Sequence, residues 1–241
     1  MTTLNMRISG LLVLALGVLG RVQGAKGTAA EVGSVAAADD ELGAPGSHNP
    51  PDFCHNLDCP DFEVLKDYGN GVQLRRYVPS MWAMTDVNET LYEKASAVGF
   101  QRLSRYILGN DNLEAKIEQT TPVVTEVYLN MDDEFTEQYL VAFYLPWKYQ
   151  PAVNKDNKQA KVPEPKDDRV IIADEPWALV YVLPFGSYAQ GSKVKKLAID
   201  FYDFLDQQGI TNYERSTFMV AVYDKPYKPF NRHNEIWVLT W

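Results

Sequence analysis

The sequence predicts an α+β protein in which duplicated strand-helix-strand-strand units form one distorted antiparallel sheet or barrel with two α-helices. Three observations support this prediction. An Asn-Gly pair separates two strand-like runs, long helical patterns occur only twice in the folded part, and the same order of elements recurs along the chain. Direct identity between the two units is weak, so the duplication is inferred from the order and spacing of their elements.

The first unit opens with a hairpin, because Asn70-Gly71 between two strand-like runs is the strongest short signal for one. Its helix is expected to begin with Thr90 as the N-cap and to end at Gly109. The acidic run 131–134 is expected to be a turn at a hairpin tip. The predicted elements of this unit are strands over 62–66, 72–77, 82–87, 116–118, 123–129 and 139–145 and a helix over 90–108.

The second unit follows a connection over 146–168 that is rich in Pro, Lys and Asp. Its helix is expected to end at Gly209. The run 180–183 is apolar throughout, which fits a well-buried strand. The predicted elements of this unit are strands over 177–183, 217–223 and 236–241 and a helix over 192–208.

Composition excludes some classes of function. The chain has 241 residues, of which 46% are hydrophobic, so it can bury a substantial core. Its formal net charge of −9 argues against nucleic-acid binding, because phosphate contacts need clustered basic residues. The common nucleotide-binding, metalloprotease and nucleophile-elbow motifs do not occur in the sequence. The sequence therefore predicts a protein that is not an enzyme and has no metal site.

Residues 1–24 are typical of a secretory signal peptide. Arg7 precedes a short apolar stretch, and Val22-Gln23-Gly24 offers a cleavage site before Ala25. A retained anchor is the alternative, although the apolar stretch is short for a membrane span. Half of the 28 residues of 25–52 are Ala, Gly or Pro and none is aromatic, which predicts a flexible low-complexity tail. The folded domain is then 53–241, and the mature protein is expected to be extracellular without a membrane span.

Secretion would expose the two cysteines to an oxidising compartment. Cys54 and Cys59 are the only cysteines of the chain, and in an oxidising compartment they should form one disulfide. A redox or metal role fits less well, because their spacing is not C-x-x-C. Asn88-Glu89-Thr90 is an N-glycosylation sequon, so the secreted protein is expected to be a glycoprotein if Asn88 is exposed.

The first predicted helix has two apolar stripes. The stripe that should pack on the sheet consists of Leu91, Ala95, Val98 or Gly99, Leu103 and Tyr106. The stripe that should face outward, at steps of three and four residues, consists of Ala97, Phe100, Ser104 and Leu108. Arg105 stands beside the outward stripe. An apolar strip with a cation at its rim suits a flat hydrophobic ligand that has carboxylates. The alternative is a mixed surface, or a stripe covered by loops.

Several ordered segments of the chain resemble the SOUL haem-binding protein family. Those segments are 74–77 (LRRY), 99–109 (GFQRLSRYILG), 121–123 (TPV), 223–226 (YDKP) and 231–237 (NRHNEIW). The resemblance extends over nearly all of 62–241 in the same order. Several motifs in one domain are far more specific than a single short motif.

The resemblance implies a duplicated α+β fold that binds haem or another tetrapyrrole without catalysis. Some members are thought to use a histidine as the axial iron ligand, at the position where this chain has Arg76. Others hold haem in a shallow cleft along the first helix, with basic residues near the propionates. On this basis Phe100 and Leu108 would form the apolar floor, and Ser104 would allow close approach of the ring. Ala97, like Ser104, is shorter than the residue of a close relative at the same position. Arg105 would then contact a propionate.

Arg76 has two interpretations, a partner for the second propionate or a charge at a strand edge. Two other functions also stay open. One is a secreted interaction protein that has lost haem binding, which the absence of histidine at position 76 favours. The other is a protein that binds another apolar small molecule in the same groove.

Overall fold

The computed structural model describes residues 50–110, 116–151 and 160–241. In those residues the chain forms nine strands and two α-helices. The strands are β1 (Phe62–Gly69), β2 (Val72–Tyr77), β3 (Ser80–Asn88), β4 (Val123–Leu129), β5 (Phe135–Tyr144), β6 (Ile171–Glu175), β7 (Ala178–Phe185), β8 (Thr217–Val222) and β9 (Asn234–Thr240). The helices are α1 (Tyr92–Ile107) and α2 (Gly191–Gln207). The expected signal peptide, 1–24, and nearly all of the expected tail, 25–52, lie outside the described residues.

All nine strands belong to one sheet in the order β1-β2-β7-β9-β8-β4-β5-β3-β6, and every pairing is antiparallel. The sheet curls into a half-barrel. The predicted fold class is therefore confirmed. The hairpin predicted at Asn70-Gly71 joins β1 to β2, and strand β9 joins the two halves of the sheet because it lies between β7 and β8.

Two apolar layers cover the two faces of the sheet, since alternate side chains of a strand point to opposite faces. On β3, Ala83 and Val87 point to the face that is covered by both helices, which we call the helix face. Trp82 and Met84 point the other way, to a second buried cluster that contains no residue of either α-helix, and we call that side the far face.

Helix α1 lies very close to the sheet. A Cβ atom at Gly99 would collide with the side chain of Val141 on β5, so only glycine allows this approach. Ala95, Leu103 and Tyr106 of the predicted inner stripe are fully buried, in agreement with the helical period. A charged contact joins the two helices, because Glu93 of α1 accepts a hydrogen bond from the first backbone N–H of α2, at Gly191, over 2.7 Å.

Details at the start of α1 differ from the prediction. The N-cap is Leu91 and not Thr90, because the carbonyl of Leu91 accepts the first helical hydrogen bond, from the N–H of Ala95. Leu91 itself has an extended backbone and is 60% exposed, so it does not belong to the inner stripe. Helical periodicity does not apply to a residue that precedes the first turn.

The sheet differs from the prediction at two places. Residues 116–118 are not a strand: the N–H of Ile117 donates to the carbonyl of Ile107, so this segment returns along the end of α1. The short edge strand β6 was missed, because its mixed sequence IIADE does not alternate between apolar and polar residues. The turn over 131–134 is confirmed. The side-chain oxygen of Asn130 accepts hydrogen bonds from the backbone N–H groups of Asp132 and Glu134.

The predicted disulfide between Cys54 and Cys59 is present, and both residues are buried against the far-face cluster. The disulfide closes a short loop at the entrance of the domain. His55, within that loop, contacts the loop after β8, because its Nε2 lies 2.8 Å from a carboxylate oxygen of Asp224. Asn88, at the end of β3, is exposed, as a glycosylated residue must be.

Candidate functional site

The outer surface of α1 presents the second stripe of the helix. Phe100 and Leu108 are 43% and 48% exposed, which is high for large apolar side chains. Ala97 is exposed and Ser104 is half-buried between them. The ring of Phe100 leans on Phe143 of β5, with the ring centroids 5.4 Å apart. The outward orientation of the stripe agrees with its spacing in the sequence, and we call these four residues of α1 the outer strip.

The two arginines at the C-terminal half of α1 differ in their surroundings. Arg105 is exposed on one flank of the outer strip. Arg102 points toward the sheet, where its guanidinium donates to Thr85 Oγ1 over 2.5 Å and to the carbonyl of Asp86 over 2.9 Å. Arg105 is therefore the arginine of α1 that stands at the surface beside the outer strip.

Arg76 lies elsewhere. It belongs to β2, whereas α1 packs on β3, β4 and β5, and strands β7, β9 and β8 lie between β2 and β4 in the sheet. Its Nη2 donates to a carboxylate oxygen of Glu63 on the neighbouring strand, over 2.6 Å. The structure thus brings Ala97, Phe100, Ser104, Arg105 and Leu108 together and does not place Arg76 with them.

The loop before β9 is held by Arg232. Its guanidinium donates to the carbonyls of Asp224, Lys225 and Lys228, so this one side chain holds three backbone positions of the loop together. Tyr227 and Phe230 of the same region are 76% and 78% exposed.

The far face contains a buried polar network that no short sequence pattern reveals. Glu235 is fully buried and accepts hydrogen bonds from Arg75, Tyr223 and Trp237 at 2.7–3.0 Å. His233 adds a further contact, because its Nε2 lies 2.9 Å from a carboxylate oxygen of Glu235. Burial alone would raise the pKa of Glu235, but these contacts and the charge of Arg75 hold it below its usual value.

A second feature of the far face is an apolar pocket with about 510 Å³ of empty space, part of it open to solvent. We call it the far-face pocket. Its lining residues are Pro60, Tyr77, Val78, Ser80, Trp82, Met84, Val124, Ala142, Glu175, Pro176, Ala178, Val180, Met219, Trp237 and Leu239. Its mostly apolar walls, with one acidic residue among them, are typical of a small-molecule site.

Glu175 is the acidic residue of that lining. It is the last residue of β6 and is only 3% exposed. Neither of its carboxylate oxygens has a hydrogen-bond partner within the described parts of the chain. Burial, with a smaller contribution from the charge of Asp174, raises the pKa of Glu175 to about 7.

Metal ligands do not cluster in the described residues: no group of three or more His, Cys, Asp or Glu side chains could hold an ion there. The two described histidines, His55 and His233, each face a carboxylate. No helix in the same part of the chain is long and apolar enough to span a membrane.

The described residues form an α+β half-barrel with an exposed apolar strip on one face and an apolar pocket on the other, two features that are typical of proteins that bind small molecules. Comparison with known families agrees with this class. Residues 57–239 match the family model described as SOUL heme-binding protein, and the chain belongs to this family, which is one of binding proteins.

Relatives with assigned names span most of the chain. "Heme-binding protein 2" of Mus musculus is 25% identical over 186 residues, which are 76% of this chain and 86% of the relative. "Heme-binding protein 1" of Xenopus laevis is 28% identical over 178 residues, which are 73% of this chain and 88% of the relative.

Solved structures with a similar arrangement are more distant. The EcmrR–DNA complex matches 70% of this chain and 57% of its own with a TM-score of 0.47 and 10% identity. An uncharacterised conserved protein from Listeria innocua matches 68% of this chain and 90% of its own with a TM-score of 0.41 and 12% identity.

Proposed function

We propose that this protein binds haem or a related tetrapyrrole and catalyses no reaction. The observation that carries the proposal is membership of the SOUL heme-binding protein family over 57–239. Relatives that match three quarters of the chain have names that state haem binding. A secreted interaction protein without haem binding is the competing proposal.

The outer strip is the proposed site for the ring. A tetrapyrrole is flat and apolar, so it would cover the exposed surface of Phe100 and Leu108. Burial of apolar surface contributes a favourable free energy of about 25 cal/mol for each Å². Ser104 is short and lies between the two larger side chains, and Ala97 is short on the other side of Phe100, so a ring can lie close to the helix at both places. Arg105 stands where an acidic propionate at the edge of the ring would meet a cation.

Axial ligation contributes little in this proposal. No histidine belongs to α1, and the two described histidines face carboxylates on the opposite side of the sheet. Haemin and iron-free protoporphyrin should therefore bind with dissociation constants that agree within about threefold, because ring burial and propionate contacts are common to both.

Absorbance titration of the full-length secreted chain with both porphyrins tests this proposal. Binding of haemin more than about tenfold tighter than that of the iron-free ring would indicate an axial ligand that the proposal lacks. If neither porphyrin binds, tetrapyrrole binding is wrong and the interaction protein becomes the better proposal.

We further propose that the protein is extracellular, as a carrier or scavenger of its ligand. The support is the apolar segment within 1–24, the disulfide between Cys54 and Cys59, and the exposed sequon residue Asn88. Intact-mass analysis of the protein from the culture medium of secreting cells should show a chain that begins near Ala25 with both cysteines oxidised. Retention of the first 24 residues would contradict secretion by cleavage, and two free thiols would contradict the disulfide.

A further inference from the structure

We propose that the far-face pocket binds a small apolar cation, such as a quaternary ammonium with an aromatic group, and that Glu175 is its counter-charge. This site lies on the opposite face of the sheet from the outer strip. The proposal therefore goes beyond tetrapyrrole binding and does not depend on it.

The unpartnered carboxylate of Glu175 is the first argument. A buried ionised group without a hydrogen bond or an ion pair is costly, so native proteins rarely retain one. The same protein shows the usual solution at Glu235, which is equally buried and accepts hydrogen bonds from Arg75, Tyr223 and Trp237. Glu175 has no such donors among the described residues. The difference indicates that the partner of Glu175 comes from outside the described residues, and we assign that place to a ligand.

The walls of the pocket are the second argument. Trp82, Trp237 and Tyr77 contribute aromatic surface beside Glu175, and no Lys, Arg or His of the described residues lines the pocket. Aromatic faces attract cations, most strongly when water is excluded. Two methionines in the lining add flexible, polarisable side chains that can adapt to ligands of different shape. A carboxylate among such walls fits a ligand that is positively charged and mostly apolar.

A second buried carboxylate with few hydrogen-bond donors lies on the far face, where the buried cation Arg75 is already paired with Glu235. Glu126 of β4 points to the same face, as Val124 does, and is 1% exposed. Thr217 Oγ1 donates to one of its oxygens over 3.2 Å, and the other has no hydrogen bond among the described residues. Two buried carboxylates with so few donors favour a cation and disfavour an acidic ligand such as a porphyrin with propionates.

Three probes of similar shape separate charge from apolar burial: benzyltrimethylammonium, its uncharged isostere neopentylbenzene, and the anion phenylmethanesulfonate. Because Trp82 and Trp237 line the pocket, ligands that enter it should change tryptophan fluorescence, and calorimetry gives the affinity independently. The full-length chain should bind the cation about tenfold tighter than the uncharged isostere and should not bind the anion.

Two variants identify the residue responsible. Glu175→Gln keeps the shape of the side chain and should reduce cation binding to the level of the isostere, about a tenfold loss, while isostere binding is unchanged. Asp174→Asn is the matched control, because Asp174 is the adjacent exposed residue of β6 and does not line the pocket. That variant should keep the preference for the cation.

The proposal is overturned if the unmodified protein binds cation and isostere equally, or binds neither, which are results that need no variant. It is also overturned if Glu175→Gln, folded by circular dichroism, retains the cation preference. Porphyrin titrations of the same preparations are a separate measurement, so failure here leaves tetrapyrrole binding untouched.

Discussion

The outer strip and the far-face pocket are both apolar, but they differ in charge and in enclosure. The outer strip is an open surface of α1 with the exposed cation Arg105 on its flank. The far-face pocket is bounded by strands and contains the buried carboxylate of Glu175. One sheet can therefore present two different surfaces to ligands. The proposed ligand of the outer strip is a flat acidic ring, and that of the pocket is a compact cation.

The largest effect is expected for Phe100→Asp, which places a negative charge in the middle of the outer strip. Haemin binding should weaken by more than about thirtyfold, because an unpaired carboxylate would face the ring and repel its propionates. Gln101→Asp, at an exposed neighbour on the same helix, introduces the same charge beside the strip and should cost far less. If Phe100→Asp is folded by circular dichroism and binds haemin as tightly as the parent, the site is not on the outer strip.

Glu175→Gln should change the pH dependence of protein stability, because it removes the buried carboxylate of the far-face pocket and leaves the outer strip intact. The folded-state pKa of Glu175, about 7, lies above its ordinary value of 4.5, so ionisation disfavours the folded protein. The stability that the protonated Glu175 side chain contributes is fully present below pH 4.5 and is lost as the pH rises through 7. Without ligand, the variant should therefore become more stable than the parent as the pH rises from about 5 to about 8, by at most about 3 kcal/mol.

Urea unfolding at several pH values measures this gap. Asp174→Asn should show a much smaller one, because it removes only the minor contribution of the Asp174 charge to the pKa of Glu175. A parent that is as stable as Glu175→Gln at about pH 8 would mean that its carboxylate already has a partner.

Arg105→Ala tests the charge of the outer strip with a smaller effect. A well-formed contact with a propionate contributes about 1.5–3 kcal/mol, whereas an exposed pair contributes less than about 1 kcal/mol. Haemin binding should therefore weaken by roughly three- to thirtyfold. Lys94→Ala removes an exposed cation from the first turns of the same helix, where it pairs with Glu89, and should change binding by less than about twofold. Equal losses in both variants would indicate a general charge effect and no specific contact.

The smallest effect is expected for Arg76→His, because Arg76 lies on β2 and pairs with Glu63, away from α1. Haemin affinity should change by less than about twofold, and no iron–histidine absorption band should appear. Appearance of that band would place the ring at β2 and would contradict the assignment of the outer strip.

The sequence predicted local features better than the far-face pocket. The outer strip could be predicted because its members are three and four residues apart on one helix, so their shared face follows from helix geometry alone. The Asn70-Gly71 hairpin depends on adjacent residues in the same way. Strand alternation predicts that side chains share a face, but not which strands become neighbours.

The far-face pocket could not be predicted for that reason. Trp82, Glu175 and Trp237 come from β3, β6 and β9, which are far apart in sequence and meet only through the order of the sheet. The sequence of β6 does not alternate between apolar and polar residues, so it does not predict the face of the sheet to which Glu175 points. One local feature of the sequence is unusual, because Glu175 ends the short run IIADE directly before Pro176.

The position of β9 has a consequence for the order in which the protein can fold. β9 follows the other eight strands in the chain, yet it lies in the middle of the sheet, between β7 and β8. Until β9 leaves the ribosome, three strands on one side and five on the other have no strand to join them. Two unprotected edges are then exposed, and unpaired edges promote association between chains. Nascent chains that stall before residue 234 should therefore depend on chaperones more than the finished protein does.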